Sequence, residues 1–451
     1  MILQRSCCWC VMKAATPDEL MWLRGYLTFE DSTARFRMRN NTGQIQLFSA
    51  KHRVFPSGLL PLVLKAAPEA GVTVDVVDAR APDVAPDDTI DTAWLRDYQV
   101  EAVLAAERDE TGIIWGPTGL GKTEIAVALG QRIQVPWLFL AHRAQLAIQA
   151  AERYELRTGE RAGVIGDSEW REERFTCATF QSLHAALKAG DERASALLKR
   201  VHGVIADECH VVPSATFYHV LMATSRARWR IGLSGTPLAR GDQRSVYSIA
   251  SLGPIIIRIR AERLIEAGML SRPTVHYHTC KQSLRCIDWA TAKAMLIVRS
   301  AQRNALLVDI ACKADKPSLL FVHEIDHGKH LRDALVARGV RTGFVSGTDS
   351  IDTRKEAIAA LERREFDTLV TTVVFQEGVD IPALASVVMG AGGKSTIAAL
   401  QRAGRAMRVV DGKTTCEIYD IMDLGNKWLT DHSRQRRTAY VREGYEVLDA
   451  A

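Results

Sequence analysis

Residues 116–123 read Gly116-Pro117-Thr118-Gly119-Leu120-Gly121-Lys122-Thr123, and their flanks constrain the fold as much as the octet itself. Thr111-Gly112-Ile113-Ile114-Trp115 before it is a short apolar strand, and Glu124-Ile125-Ala126-Val127-Ala128-Leu129 after it is a helix-forming run. A strand, a glycine-rich loop and a helix opening at Lys122 make a unit whose backbone N–H groups and positive helix end converge on one point. That point suits phosphate. In such a loop Gly116, Thr118, Gly119 and Gly121 allow close backbone approach, Lys122 neutralises the β- and γ-phosphates, and the Thr123 hydroxyl ligates Mg²⁺. The pattern predicts hydrolysis of a nucleoside triphosphate.

An acidic run, Asp207-Glu208-Cys209-His210, follows the apolar strand Val204-Ile205-Ala206. Asp207 stands at the carboxyl end of that strand, where parallel sheets place functional groups. It would hold Mg²⁺ through water, while Glu208 would orient or deprotonate the attacking water. His210 is placed to relay the nucleotide state, and Cys209 reads as a packing residue because nothing marks it as a reactive thiol. Capping of the next helix is the plainer reading of the two acids.

A chain of 451 residues with 47% hydrophobic content exceeds one ordinary core and predicts two or three domains. The 58 Lys and Arg against 53 Asp and Glu, net +5, permit a polyanionic partner without requiring one. No leader pattern or spanning apolar run is seen, so a cytoplasmic, non-membrane protein is expected. Nine scattered cysteines fit reduced thiols, and the single C-x-x-C of Cys7-Cys8-Trp9-Cys10 has no second pair to complete a zinc site.

Residues 79–93 are rich in Pro and Asp without hydrophobic period, which predicts an N-terminal α+β domain at 1–80 and a linker at 81–93. Beyond it, strand-like runs alternate with helical ones: Ile113–Trp115, Trp137–Ala141, Val201–Ala206, Ile231–Ser234, Ser318–His323, Thr342–Ser346, Thr368–Thr372 and Ser386–Gly390. The fold class is therefore α/β, with two tandem parallel-sheet domains at 94–258 and 259–451, and residues around 254–272 separating the two sets.

Further segments complete an ordered series: Leu95-Arg96-Asp97-Tyr98-Gln99, Phe139 to Leu146, Ala178 to Leu183, Ser234-Gly235-Thr236-Pro237, Leu369 to Pro382, and Gln401-Arg402-Ala403-Gly404-Arg405-Ala406-Met407-Arg408. In this order they resemble the motifs of superfamily 2 helicases and translocases, over residues 94–424. The resemblance implies RecA-like domains that use ATP and Mg²⁺. It implies that Gln99 reads adenine with Tyr98 beside it, and that His142, Arg143, Thr179, Gln181 and Thr372 meet a nucleic-acid backbone. It further implies that Ser234 and Thr236 couple the γ-phosphate to strand binding, and that Gly378 and Asp380 face the nucleotide. Gln401, Arg405 and Arg408 fall at i, i+4 and i+7, one face of a helix, which suits presenting two planar guanidiniums across a cleft.

More specifically, Leu233 to Arg240, Glu377 to Leu384 and Leu400 to Arg405 resemble the UvsW-like bacteriophage helicases and related repair helicases. Asp-Glu-Cys-His departs from the Asp-Glu-Ala-His and Asp-Glu-Ala-Asp of RNA-processing groups. The resemblance implies ATP-driven movement along DNA, 3′ to 5′, with unwinding or remodelling of forks and junctions, as a monomer on DNA or beside other recombination or replication proteins. No residue quoted sets the polarity. In the N-terminal domain Arg35, Arg37 and Arg39 alternate with Phe36 and Met38, so a strand would gather three arginines on one face, against phosphates or merely as a charged protected edge. The interval Ile381 to Gln401 is too short for a separating hairpin, which leaves the N-terminal domain as the candidate wedge. Arg434, Arg436 and Arg437 lie in a polar helical tail, Asn426–Tyr445, open to packing or DNA contact.

Two alternatives stay open. One is a duplex-translocating motor subunit of a restriction or repair nuclease; the other is an ATP-gated nucleic-acid clamp without turnover, against which Glu208, Arg405 and Arg408 argue. If Arg408 acts on the transition state, Arg408→Ala will keep ATP affinity within a few-fold while nucleic-acid-stimulated turnover falls about 10³-fold or more. Parallel measurement of ATP binding and steady-state hydrolysis checks this, and an equal loss of both would make Arg408 a ground-state ligand.

Overall fold

The computed structural model describes residues 1–30, 43–80, 84–117, 119–166, 169–235, 245–284, 286, 288–372, 384–393, 415–442 and 444–449. They form two compact units, Met1–Ile259 and Arg260–Ala451.

The first unit opens with β1 (Ile2–Arg5), β2 (Trp9–Ala14), α1 (Pro17–Tyr26), β3 (Thr28–Glu30), β4 (Gln44–Gln46), β5 (Val54–Pro56), α2 (Leu60–Ala66) and β6 (Asp75–Asp78). Strands β5-β2-β1-β6 make one sheet, and β3 pairs with β4 as a separate antiparallel ribbon. The expected helix at Ser57–Ala67 begins as a 3-10 turn over Ser57–Leu59, because Pro61 fits the first turn of the helix that follows it. The expected strand at Val72–Val77 is shifted to β6, paired in parallel with β1. Arg35, Arg37 and Arg39 lie outside the described residues.

The remainder of this unit runs α3 (Asp97–Asp109), β7 (Thr111–Trp115), α4 (Lys122–Arg132), β8 (Trp137–Ala141), α5 (Ala144–Thr158), β9 (Gly163–Gly166), β10 (Glu169–Arg171) and β11 (Phe175–Thr179). It continues with α6 (Phe180–Lys188), α7 (Glu192–Arg200), β12 (Gly203–Asp207), α8 (Ala215–Ala223), β13 (Trp229–Ser234), α9 (Val246–Leu252) and β14 (Ile255–Arg258). The sheet order is β10-β9-β11-β8-β12-β13-β7-β14, parallel except for β10. Ile113, Leu138, Leu140, Val204 and Ala206 are fully buried, as strands covered on both faces require. Residues 255–258, expected to separate the two sheets, instead supply the edge strand of the first.

The N-terminal sheet shares its core with the larger sheet's layer of helices: Leu3, Cys10, Phe55 and Leu59 cluster with Val246 and Ala250 of α9. A buried arginine fastens them. Arg230 donates to Leu221 O at 2.8 Å, Thr224 Oγ1 at 2.8 Å and Ser251 O at 2.7 Å, and reaches Cys8 Sγ at 3.4 Å. Leu221 and Ser251 lie in the last turns of α8 and α9, so their negative ends offset the guanidinium charge. The linker is tied down as well, since Arg132 of α4 meets Asp88 at 2.6 Å and Glu107 at 2.5 Å.

The second unit comprises α10 (Ala261–Glu266), β15 (Arg272–Lys281), α11 (Trp289–Lys293), α12 (Ala301–Lys313), β16 (Ser318–Val322), α13 (Ile325–Ala337), β17 (Thr342–Val345), α14 (Ile351–Glu362), β18 (Thr368–Thr372), β19 (Ser386–Met389), β20 (Thr415–Leu424), α15 (Lys427–Arg442) and β21 (Glu446–Asp449). Its described strands, in the order β17-β18-β16-β19-β20-β15-β21, are all parallel. Two RecA-like α/β domains follow a small α+β region. No helix among the described residues is long and apolar enough to cross a membrane.

The tail is structural. Arg436 of α15 is buried against Asp420 at 2.9 Å and donates to Gly393 O at 2.6 Å, while Arg437 pairs with Asp449 of β21. Arg303 and Asp423 form a second buried pair at 2.9 Å, and Arg303 donates to Gly390 O at 2.8 Å. Removing one partner strands the other charge, so Asp420→Ala should destabilise this unit by about 3–5 kcal/mol. Hydrogen exchange of the β20 amides in urea reads that loss, and Asp420→Ala with Arg436→Met should recover part of it.

Candidate active site

Backbone conformation shapes the phosphate loop. Gly119 and Gly121 take φ of +94° and +78°, and a Cβ on Gly121 would overlap Gln99 Nε2, so both positions favour glycine. α4 begins at Lys122 with Gly121 as its N-cap, aiming the helix N-terminus at the loop. Thr118 lies outside the described residues.

β12 ends at Asp207, and Glu208 then turns into the left-handed region at φ +47°, an outlier for a side-chain-bearing residue. That turn brings Glu208 Oε1 to 2.8 Å from Lys122 Nζ and Oε2 to 3.2 Å from His210 Nδ1. His210 Nδ1 is also 3.2 Å from Ser234 Oγ at the end of β13. Burial opposes charge on both carboxylates, with unequal outcomes. Burial and the adjacent Glu208 push Asp207 up to about 6, whereas for Glu208 the Lys122 and His210 charges override burial and hold it well below the usual carboxylate range. Lys122 is raised in return, because Glu208 and Asp207 outweigh its desolvation.

Among the described residues no three His, Cys, Asp or Glu side chains gather as a metal cage. The expected holders, the Asp207 carboxylate and the Thr123 hydroxyl, would suit a hard cation that takes most of its ligands from phosphate and water, as Mg²⁺ does. Cys209 is fully buried, and burial raises its thiol far above the ordinary range.

Gln99, expected to read adenine, has partners within the protein. It is buried, with Oε1 accepting from Arg96 N at 2.9 Å and Nε2 donating to Leu120 O at 2.8 Å. The carboxamide thus braces the phosphate loop, leaving one Nε2 hydrogen for a base. Tyr98 is buried and its hydroxyl accepts from Arg96 Nη1 at 3.0 Å.

Two sequence families match the chain: "Type III restriction enzyme, res subunit" over residues 93–239 and "Helicase conserved C-terminal domain" over residues 302–410. The chain belongs to superfamily 2 of the helicases. It is an ATP-hydrolysing helicase. The "DNA 3'-5' translocase XPB2" of Sulfurisphaera tokodaii is 26% identical over 391 residues, 77% of this chain and 85% of the relative. The "Probable helicase D10" of Escherichia phage T5 is 23% identical over 94% of both chains. Against three further relatives this helicase spans 50% to 64% of their length. In fold alone it is similar to the "ATP-dependent Type ISP restriction-modification enzyme LlaBIII bound to DNA", at a TM-score of 0.59 and 15% identity over 77% of this chain and 30% of that one. The T4 UvsW crystal structure aligns over 100% of this chain and 99% of its own at 18% identity and a TM-score of 0.47.

Several helicase residues expected at nucleic acid have partners within the protein. Thr179 caps α6, accepting from Ser182 N at 3.2 Å and donating to Ser182 Oγ at 2.7 Å. Gln181, in the first turn of α6, donates to His142 O at 2.9 Å and so ties that helix to the turn after β8. Thr372 is buried, accepting from Gly347 N at 3.2 Å. Arg143 is exposed at the start of α5. Thr236, Gly378, Asp380, Gln401, Arg405 and Arg408 lie outside the described residues.

If Glu208 handles the attacking water, Glu208→Gln will keep ATP binding and lower hydrolysis about 10²- to 10⁴-fold. Fluorescent-nucleotide titration beside phosphate release tests it, and near-normal release would remove Glu208 from that role.

Proposed function

We propose that this helicase converts ATP hydrolysis into 3′-to-5′ movement along DNA and unwinds or remodels branched molecules during replication, recombination or repair. The observation that carries the ATP-coupled part is the line Lys122, Glu208, His210, Ser234, which joins the phosphate loop to the end of β13 through contacts of 2.8 Å, 3.2 Å and 3.2 Å. Lys122 would bind phosphate, Thr123 and Asp207 would hold Mg²⁺, Glu208 would orient water and take its proton, and His210 with Ser234 would report the change. Mg²⁺, when bound, would supply charge neutralisation at the β- and γ-oxygens. Arg405 and Arg408 would stabilise the transferred phosphoryl, with Gln401, Gly378 and Asp380 beside the nucleotide. DNA as the track is supported by the names of XPB2 and by a phage helicase alignable along nearly the whole chain. We assign backbone contact to His142, Arg143, Thr179, Gln181 and Thr372, in which case Thr179 and Thr372 must exchange their present partners.

A second reading, a duplex-pumping motor subunit of a nuclease, is favoured by the restriction-enzyme family match and the LlaBIII fold. Displacement of a triplex-forming strand without separation of a forked duplex would select it.

Branch recognition is assigned to Arg35, Arg37 and Arg39. Replacing all three with Ala should weaken fork binding and lower the salt slope by up to about three units, one per lost phosphate contact. ATP hydrolysis on saturating single-stranded DNA should persist. Unchanged fork affinity and salt dependence in a folded variant would remove the N-terminal domain from branch recognition.

A further inference from the structure

Trp115 is the last residue of β7, and its parallel partners are Ser234 of β13 on one side and Arg258 of β14 on the other. Its indole Nε1 donates to Gly235 O at 2.9 Å, and the next residue, Gly116, donates its N–H to Ser234 O at 3.1 Å. On the opposite side the Arg258 guanidinium carbon lies 4.0 Å from the indole centroid, within cation–π range. Ile259 N donates to Trp115 O at 2.8 Å, and Ile259 is where the first unit ends. One side chain therefore touches the loop that follows β13 and the last strand before the chain leaves the unit, while its backbone leads into the phosphate loop.

We infer that Trp115 is a positioning residue that carries the nucleotide state from Lys122, Glu208, His210 and Ser234 across to Arg258 and the chain leaving at Ile259. The indole has a single, directional N–H. A small displacement of Ser234 and Gly235 either keeps that bond or breaks it, and the ring that would shift with it is the one beneath the Arg258 charge. A contact with two discrete states is what coupling between sites requires. The inference rests on the proposed reading that nucleic acid stimulates hydrolysis, and not on which nucleic acid does so.

The test separates the indole's two roles. Trp115→Phe keeps an aromatic face for Arg258 and removes the N–H; Trp115→Leu removes both; Arg258→Lys keeps a cation over the ring, and Arg258→Gln does not. For each variant kcat and KM for ATP are measured with and without saturating single-stranded DNA. Trp115→Leu and Arg258→Gln should keep KM and unstimulated kcat within about twofold while DNA-stimulated kcat falls about 3- to 30-fold. Trp115→Phe should fall between these and wild type, and Arg258→Lys should restore most of the stimulation. In a double-mutant cycle Trp115→Leu and Arg258→Gln should be strongly non-additive. Full stimulation in folded Trp115→Leu overturns the inference alone, as does a matched loss of KM and unstimulated rate, which marks a merely structural ring. Wild-type protein that hydrolyses ATP at a rate no nucleic acid raises defeats the proposed function and this inference together.

Discussion

The ion pair between Lys122 and Glu208 is the interaction on which the rest of the site depends. Both groups are largely out of water, and neither charge is tolerable there without the other. The pair meets only because Gly121 permits α4 to start at Lys122 and because Glu208 accepts a left-handed backbone. On the proposed reading, a phosphate at the Lys122 ammonium would compete with the Glu208 carboxylate, which also lies against His210.

How much of this was legible in the sequence depends on where each residue's partners lie. Trp137–Ala141 was readable to the residue because a strand buried on both faces is an unbroken apolar run, and Thr368–Thr372 because β-branched residues dominate it. β15 and β20 were not, because His276, His278, Asp420 and Asp423 interrupt them; Asp420 and Asp423 are buried only because Arg436 and Arg303 neutralise them from helices elsewhere in the unit. The same limit applies to the site. Lys122, Asp207 and Glu208 announce themselves through local pattern. The commitments of Gln99 to Leu120 and of Thr372 to Gly347 arise from loops distant in sequence, and no spacing rule reports them.

Polar side chains near the motor motifs serve the scaffold more than the motif series implied. Thr179 spends its hydroxyl on a helix cap, and Gln181 ties the first turn of α6 to the carbonyl of His142. Such internal bonds hold the loops at the carboxyl ends of β8 and β11 in fixed register. Any nucleic-acid phosphate approaching them meets a preformed surface whose donors are partly occupied.

The shared core beneath α9 bears on how the N-terminal domain can be studied. Leu3, Phe55 and Leu59 roof Val246 and Ala250, and Cys8 supplies one of the contacts of the buried Arg230. Excising the first 80 residues would uncover an apolar helix face and open the Arg230 cage to solvent, so a truncated protein would report a damaged motor whatever the domain contributes to substrate choice. Its role has to be read from substitutions on its surface, made in the intact chain.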